Sequence, residues 1–360
     1  MGKTITIDVR MIHHSGIGTY IRNIVPYVLE SPFVVRLLGD PEEIKRLGWD
    51  SFPGVSVLPT TEPIYSIGEQ LRIPGRISSS SDLLWVPHFN IPIAYKGRLL
   101  VTVHDAFHLA MPQLLEGHLK KMYSRFLFKR VGKKADRVIT VSNFSKQELH
   151  QHLGEDMNVS TIYNGVAKDW FASEFAEVNE KKPYIVYVGN VKPHKNLRVL
   201  LNAFSRVVDQ IPHNLVIVGK KEGFVSGDNQ FLEQSEALGE RISFTGYVSD
   251  EVLKSYIHHA EVLVFPSLYE GFGLPPLEAM ACGTPVLVST AASIPEVCEE
   301  GAVYFNPHDD RELSERLVML LQDESMKREM VKRGKEQVQQ FTWSRSAKEH
   351  LRIIEELIAT

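Results

Sequence analysis

Residues 269–283, YEGFGLPPLEAMACG, lie between two short apolar runs, VLVF (262–265) and PVLVS (285–289). The two prolines suit the first turn of a helix, where a missing N–H costs nothing, and Gly283 suits its end. The stretch therefore predicts a strand, a glycine-rich loop, a helix and a second strand. This is the repeating unit of an α/β fold.

The same alternation of apolar run and amphipathic segment covers nearly the whole chain. Most runs are rich in Val and Ile and apolar on both faces, which is typical of parallel strands covered by helices on each side. The predicted strands are 4–9, 34–38, 55–58, 83–86, 99–103, 137–141 and 159–162, followed by 184–188, 215–218, 242–245, 262–265, 285–289 and 302–305.

A chain of 360 residues exceeds what one hydrophobic core usually supports, so two domains are expected. The pattern breaks between 166 and 182, which predicts an N-terminal Rossmann-like domain over 1–166 and a C-terminal one over 180–342. The final stretch, 343–360, predicts an amphipathic helix. Glycines and polar residues follow many of the strands, and parallel sheets bind ligands at the carboxyl ends of strands. We therefore expect the domains to face each other across a deep cleft, although turns after strands are commonly rich in such residues anyway.

Composition excludes several functions. The net charge of −4 gives no field for nucleic acid, and two isolated cysteines, Cys282 and Cys298, indicate a reducing compartment without structural zinc. The chain opens directly into a strand-like run and has no stretch of ~20 apolar residues, so a cytoplasmic protein is expected. Gly16 and Gly18 fail the G-x-G-x-x-G pattern at Ile21, and no P-loop sequence occurs, so nicotinamide and P-loop sites are excluded.

The quoted stretch also carries two carboxylates, Glu270 in the loop and Glu278 in the first turns of the helix. No Asp-x-Asp or third carboxylate accompanies them, so neither a metal nor another cofactor is expected. Carboxylates suit paired hydrogen bonds to sugar or ribose hydroxyls, and a helix N-terminus beside glycines suits a phosphate. Alternatively, Glu278 is only a favourable charge near a helix N-terminus.

Two glutamates eight positions apart around a GFGLP sequence resemble the signature of glycosyltransferase family 4, whose members have the GT-B fold. The resemblance extends along the chain, and it implies a retaining transferase that uses a nucleoside-diphosphate sugar. It also implies that the terminal helix, 343–360, crosses back to the first domain. The segments that carry it are SGIGTYIRNI (15–24), TVHD (102–105), RVITVSNFSKQEL (137–149), YNGV (163–166), YVGNVKPHKNL (187–197), FTGYVSDEVL (244–253) and FTWSRSAKEHL (341–351).

The resemblance implies a role for individual residues. Catalytic roles fall to His104 and to Glu270, which would bind the donor sugar hydroxyls. Glu278 would bind the ribose and Lys195 the diphosphate. The remaining donor-site residues implied are Gly16, Gly18, Asn190, Tyr247, Val248, Phe272, Gly273 and Leu274, which would contact phosphate, base or sugar, several of them through backbone groups.

One position departs from the family pattern. Asn190 stands where the family commonly has an arginine, and its amide is a donor without charge. Lys195 would then carry more of the diphosphate neutralisation, with Lys192 or His194 as the compensating group.

His104 and Asp105 follow the predicted strand 99–103. The pair is interpreted either as an ordinary polar strand end or as a histidine that contacts the donor sugar and the acceptor, with Asp105 fixing its tautomer. His88 and Asn90, after the strand 83–86, are weaker candidates for contact with the acceptor.

Residues 113–137 predict a basic amphipathic helix. Eight Lys or Arg lie between Lys120 and Arg137, and the apolar positions at helical spacing are Leu115, Leu119, Met122, Phe126 and Leu127. Such a helix suits peripheral contact with an anionic membrane on its cytoplasmic side, or is simply half-buried with its other face in solvent.

The expected reaction is transfer of a hexose to a hydroxyl of a glycan or lipid-linked acceptor in cell-surface polysaccharide synthesis. GDP-mannose is the favoured donor because PHKN with Asn190 looks like bacterial surface-polysaccharide mannosyltransferases. UDP-glucose and UDP-N-acetylglucosamine stay open as donors, and a GT-B-fold sugar-nucleotide epimerase stays open as another activity.

Overall fold

The computed structural model describes residues 2–77, 81–115, 117–172, 174–219 and 237–359. The chain divides into two compact units, Met1–Gly165 together with Thr342–Thr360, and Val166–Phe341. The described part of 166–182, where the sequence pattern breaks, belongs to the second unit. Its Trp170 is buried there, with the Lys254 ammonium 5.6 Å from the ring centroid.

The first unit contains a seven-stranded, fully parallel sheet in the order β3-β2-β1-β4-β5-β6-β7. Its strands are β1 (Thr4–Asp8), β2 (Val34–Gly39), β3 (Val55–Pro59), β4 (Leu83–Val86), β5 (Leu99–Val103), β6 (Arg137–Thr140) and β7 (Val159–Thr161). The first helices are α1 (Ser15–Leu29), α2 (Pro41–Arg46), α3 (Ile67–Ile77), α4 (Phe107–Ala110), α5 (His118–Lys134) and α6 (Asn143–Leu153).

The second unit contains a six-stranded parallel sheet in the order β10-β9-β8-β11-β12-β13. Its strands are β8 (Tyr184–Val188), β9 (Asn214–Val218), β10 (Ile242–Gly246), β11 (Val262–Phe265), β12 (Val286–Ser289) and β13 (Val303–Phe305). Its described helices are α7 (Leu197–Val207), α8 (Asp250–His258), α9 (Leu274–Cys282), α10 (Ile294–Cys298), α11 (Asp310–Gln322) and α12 (Glu324–Val338).

Each sheet is buried because its strands are apolar on both faces. The side chains of β4 and β5 are fully buried, as are those of β11 and β12. Each unit therefore has its own hydrophobic core of strand and helix residues. The predicted α/β class with two Rossmann-like sheets is confirmed.

The strand order reverses once in each sheet, between β1 and β4 in the first and between β8 and β11 in the second. At such a switch point the connecting loops run in opposite directions and leave a crevice at the carboxyl ends of the strands. The polar residues singled out by sequence follow these strands.

The C-terminal helix α13 (Trp343–Ala359) lies in the first unit. Its His350 is fully buried, with Nε2 2.5 Å from the Tyr20 hydroxyl of α1, and Arg98 donates to its Leu357 carbonyl at 2.7 Å. The amphipathic helix expected from the sequence is confirmed.

The basic helix is shorter than predicted. Gly117, with φ of 84°, precedes its first residue, and Ala135 returns to extended backbone before Arg137 enters β6. Leu127, Phe128 and Val131 form its buried side.

Candidate active site

The glycine loop leads directly into helix α9, which is the local structure that the sequence predicts. Gly273 has φ of 105°, in the left-handed region that only glycine adopts readily, and it turns the chain into the helix. Pro275 and Pro276 have no N–H, so the first turn offers the N–H of Leu274, which has no acceptor within the helix. A helix start of this kind attracts a phosphate oxygen.

Lys195 and Glu270 form an ion pair at the switch point of the second unit. The Lys195 Nζ donates to Glu270 Oε1 at 2.6 Å, and the two side chains are 22% and 13% exposed. Lys195 ends a 3₁₀ turn (Pro193–Lys195) after β8, whereas Glu270 follows the adjacent strand β11. An ammonium has three donors and a carboxylate several lone pairs, so the pair retains capacity for a ligand.

Ser293 fixes this loop and was missed by the sequence reading. Its hydroxyl lies 3.0 Å from the Glu270 carbonyl oxygen and 2.9 Å from that of Phe272, and the residue is fully buried. The Phe272 ring packs edge-on to Phe341, with 5.7 Å between centroids. The loop is therefore held in place by the unit itself, without a ligand. A lone serine before α10 has no pattern that would have marked it.

Glu278 lies in the second turn of α9. Burial, reinforced by the carboxylates of Asp250 and Asp169 and opposed by Lys254, raises the pKa of Glu278 to about 8. Lys254 itself forms an ion pair with Asp169. Near neutral pH, therefore, Glu278 is largely protonated in the free protein.

Three glycines end neighbouring strands of the second unit. A Cβ added to Gly219, whose φ is 156°, would lie 2.2 Å from the Gly189 carbonyl oxygen, and the Gly219 N–H donates to Gly246 O at 3.1 Å. The backbones approach too closely there for any side chain. Asn190 follows this cluster after β8 and is exposed.

Tyr247 and Val248 follow the last of these glycines, at the end of β10. Tyr247 is strongly exposed and Val248 is partly buried. Both thus lie at the same sheet edge as Asn190, where sequence reasoning placed them.

The compensation for Asn190 does not come from a charged His194. Burial, together with the charges of Lys195 and Lys192, lowers the pKa of His194 to about 3. The imidazole is therefore neutral at physiological pH. Lys192, the other group expected to compensate, is exposed in the same segment.

His104 follows β5 in the first unit. Its Nε2 lies 2.9 Å from the Pro87 carbonyl oxygen, and burial lowers its pKa to about 4. A carbonyl only accepts, so Nε2 carries the proton of the neutral ring and Nδ1 has a free lone pair. Asp105 instead accepts the N–H of Phe107 at 3.0 Å. The tautomer is set by Pro87, and the expectation that Asp105 sets it is corrected.

His88 and Asn90 are fully buried, at 1% and 0% exposure, so they do not line a surface for direct acceptor contact as the sequence suggested. His88 Nδ1 accepts the Asn90 N–H at 3.2 Å, and Asn90 Nδ2 donates to Glu69 Oε2 at 2.7 Å. His88 Nε2 is 3.5 Å from Asp8 Oδ2, at the long limit of a hydrogen bond.

Arg10 joins these residues into one buried network that the sequence reading missed. Its guanidinium donates to Asp8 Oδ1 at 2.9 Å and to Glu69 Oε1 at 2.6 Å. Burial alone would raise the pKa of Asp8, but Arg10 and His88 hold it well below its usual range. Asp8 ends β1, so the network fills the switch point of the first unit.

Gly16 and Gly18 lie in the first turn of α1. A Cβ on Gly18 would lie 2.3 Å from the Ile12 carbonyl oxygen, so glycine is required there for packing. A Cβ on Gly16 would meet nothing within 4 Å. Packing therefore does not require glycine at position 16, and there is space for a ligand beside it.

Within the described residues, no helix is long and apolar enough to cross a membrane. In the same residues, no three His, Cys, Asp or Glu side chains are grouped so as to hold a metal ion.

Two family models match the chain in succession. Residues 14–170 match the model described as Glycosyltransferase Family 4, and residues 169–337 match Glycosyl transferases group 1.

Relatives and a solved structure agree with these models. The O-antigen chain mannosyltransferase RfbU of Salmonella typhimurium is 34% identical over 69% of this chain and 67% of its own. The O-antigen chain mannosyltransferase B of Escherichia coli is 31% identical over 71% and 70%. The structure of Anabaena Alr3699/HepE in complex with UDP and glucose superimposes with a TM-score of 0.76 at 17% identity, covering 98% of this chain and 100% of that chain. The chain therefore belongs to glycosyltransferase family 4 and is a glycosyltransferase with the GT-B fold.

Proposed function

We propose that this glycosyltransferase moves a mannosyl group from GDP-mannose to a hydroxyl of a lipid-linked glycan, with retention at the anomeric carbon. The observation that carries the proposal is the Lys195–Glu270 pair beside the start of α9. It combines a cation for the diphosphate with a carboxylate for sugar hydroxyls. The mannosyl group is inferred from relatives whose names are mannosyltransferases.

The second unit would stabilise the departing diphosphate. Lys195 brings a positive charge, and the N–H of Leu274 at the start of α9 brings the positive end of a helix dipole. Because the Ser293 contacts hold the loop that leads into α9, little reorganisation of that loop should accompany charge development. We therefore expect turnover without an added divalent metal.

Retention is proposed to occur through an ion pair, with the acceptor entering on the face from which the diphosphate leaves. A double displacement needs a carboxylate free to attack the anomeric carbon. Glu270 is held by Lys195 at 2.6 Å, which lowers its nucleophilicity. Glu278 is largely protonated near neutral pH and is proposed to bind the ribose instead.

A second candidate for the donor also has support. The similar structure from Anabaena holds UDP and glucose, which favours UDP-glucose as the alternative. Thermal shifts against GDP-mannose, UDP-glucose and UDP-N-acetylglucosamine rank the donors, because a ligand that binds only the folded state raises the Tm. Mass spectrometry and NMR of the product then give the sugar and the anomeric configuration. Conversion of the donor without an acceptor would indicate an epimerase instead.

The lipid-linked acceptor is supported by the exposed apolar side chains of two adjacent helices. Leu119, Met122 and Phe126 of α5 are 82%, 70% and 43% exposed, and Ile67 and Leu71 of α3 are 79% and 75% exposed. Water-facing apolar groups of this size beside a basic helix favour an anionic bilayer surface as the partner. Each basic residue near such a surface contributes about 1 kcal/mol.

Co-sedimentation with vesicles of phosphatidylglycerol and phosphatidylcholine tests this contact. The variant with Lys120, Lys121, Arg125 and Lys129 changed to Gln should pellet less than the wild type at low salt. The matched control has the same change to Gln at four basic residues of α12 and α13, namely Arg328, Lys332, Arg345 and Lys348. Equal pelleting of all three proteins, or none by the wild type, would contradict the membrane contact.

A further inference from the structure

Three aromatic rings gather in the first unit where α3 begins and α5 passes. The ring centroid of Tyr65 lies 6.1 Å from that of Phe89 and 6.5 Å from that of Tyr123. Phe89 stacks on the buried Phe128 at 4.5 Å, which anchors the group to the core. Tyr65 is 48% exposed, so part of this aromatic surface faces solvent.

Tyr65 has a backbone conformation that tyrosine rarely adopts. Its φ is 67°, in the left-handed region, where a side chain with a Cβ is strained. A half-exposed ring recovers little of this strain through burial. Strained residues of this kind persist where the surrounding structure holds them, commonly at functional sites.

The buried network described above holds Tyr65. Glu69 Oε2 accepts the Tyr65 N–H at 2.9 Å, while Glu69 also accepts from Arg10 and from Asn90. Glu69 is fully buried, so its contacts fix the Tyr65 backbone against the end of β1. His88 and Asn90 thus act behind the surface, through Glu69 and Asp8.

Phe89, the ring behind Tyr65, connects the aromatic group to the segment that follows the candidate catalytic histidine. The Phe89 ring centroid lies 5.2 Å from that of His108, on α4. His108 is four positions after His104 in the chain. The aromatic group therefore borders the acceptor-side candidates, and its exposed apolar neighbours Ile67 and Leu71 follow on α3.

We propose that Tyr65, backed by Phe89 and Tyr123, is the stacking surface for a pyranose ring of the acceptor. A pyranose has an apolar C–H face that packs on an aromatic ring, while its hydroxyls remain free for polar groups. The inference rests on the proposed transferase function and narrows the acceptor to a sugar carried on an apolar aglycone. Tyr65 would thus help to determine which acceptor sugars the enzyme uses.

The test compares Tyr65→Gly with Tyr65→Phe. Glycine accepts a φ of 67° without strain, so Tyr65→Gly should fold with an unchanged or higher Tm while losing the ring. Octyl glycosides of mannose, galactose and N-acetylglucosamine serve as acceptor probes. Their methyl glycosides test the contribution of the apolar aglycone. The measurements are KM for the best octyl glycoside, KM for the donor, and donor hydrolysis without acceptor.

Tyr65→Gly should raise the acceptor KM about tenfold, with donor KM and donor hydrolysis unchanged, whereas Tyr65→Phe should retain the wild-type acceptor KM. An unchanged acceptor KM in Tyr65→Gly would overturn the stacking role and leave the transferase proposal standing. A wild-type enzyme that transfers to none of the glycosides would overturn the acceptor class together with Tyr65. Failure of the wild type to bind any nucleotide sugar would overturn the proposed function itself.

Discussion

The two switch points of this chain place charge in opposite ways. At the ends of β8 and β11, Lys195 and Glu270 pair beside a glycine loop and remain partly open to solvent. Near the ends of β1 and β4, Arg10 forms ion pairs with Asp8 and Glu69, and all three side chains are almost wholly buried. The same reversal of strand order therefore carries a partly exposed ion pair in one unit and a buried ionic network in the other.

The difference follows from what each end is proposed to bind. A diphosphate needs charge that it can reach, so the ionic groups of the second unit stay partly exposed. The loop that carries Glu270 is held by a neutral contact, Ser293. A neutral sugar gains little from charge. In the first unit the ionic groups are therefore buried, and Glu69 holds the backbone of Tyr65, whose ring is at the surface. Four predictions test this contrast.

Glu270→Gln should lower kcat by about 10² to 10³, because the variant keeps the shape of the side chain but loses the charge paired with Lys195. The Tm should stay near the wild-type value. Steady-state kinetics with the preferred donor measure the effect. Glu240→Gln, an exposed carboxylate of the same unit, is the control and should leave turnover unchanged. A Glu270→Gln enzyme with wild-type kcat would remove this residue from the site.

Arg10→Met should destabilise the first unit by about 3–5 kcal/mol, because Asp8 and Glu69 would be left as buried carboxylates without their cation. Lys3→Met is the matched control. Its ion pair with Asp82 is largely exposed at 3.4 Å and should contribute about 0–1 kcal/mol. Urea unfolding of the two variants measures both values. Similar small losses in both would show that the buried network is not structural.

Glu278 gives a pH dependence to ribose binding. Only the ionised carboxylate accepts two ribose hydroxyls, and its pKa of about 8 means that affinity should rise with pH. Guanosine or uridine should bind about fivefold more tightly at pH 8 than at pH 7. The stability contribution has the opposite sign: it is complete below the ordinary glutamate pKa and is lost as pH rises through 8. Calorimetric titration at both pH values measures the affinity.

Glu278→Gln is the control for that titration. The amide does not titrate, so nucleoside affinity should become equal at the two pH values. A pH dependence that persists in the variant would show that another group causes it, and a flat wild-type profile would contradict ribose binding by an ionised Glu278.

The strands and their order of occurrence could be predicted because parallel strands buried on both faces appear as short apolar runs. The loop before α9 could be predicted because its glycines and prolines, placed between two apolar runs, are typical of a turn and a helix start. Lys195 and Glu270 are 75 residues apart in the chain, yet each follows a strand, and adjacent strands bring them together.

The buried network and the packing role of Gly18 could not be predicted, because they depend on contacts that no local sequence pattern indicates. Glu69 lies in α3 and looks like an ordinary helix carboxylate until Arg10, 59 positions earlier, is placed against it. His88 and Asn90 follow a strand, as surface ligands do, but that position does not distinguish a surface residue from a buried one. Gly18 similarly looks like a ligand-loop glycine and instead makes room for the Ile12 carbonyl.

The most direct test of the account is the affinity of Lys195→Ala for nucleoside diphosphates and for the matching nucleosides. GDP and UDP should bind about 10-fold or more weakly than to the wild type, because a charge-assisted hydrogen bond to phosphate is lost, whereas guanosine and uridine should bind as before. Lys182→Ala, an exposed lysine before the start of β8, is the control and should change neither. Isothermal titration calorimetry gives all of these constants. Equal losses for diphosphate and nucleoside, or no loss for either, would contradict a diphosphate site built on Lys195.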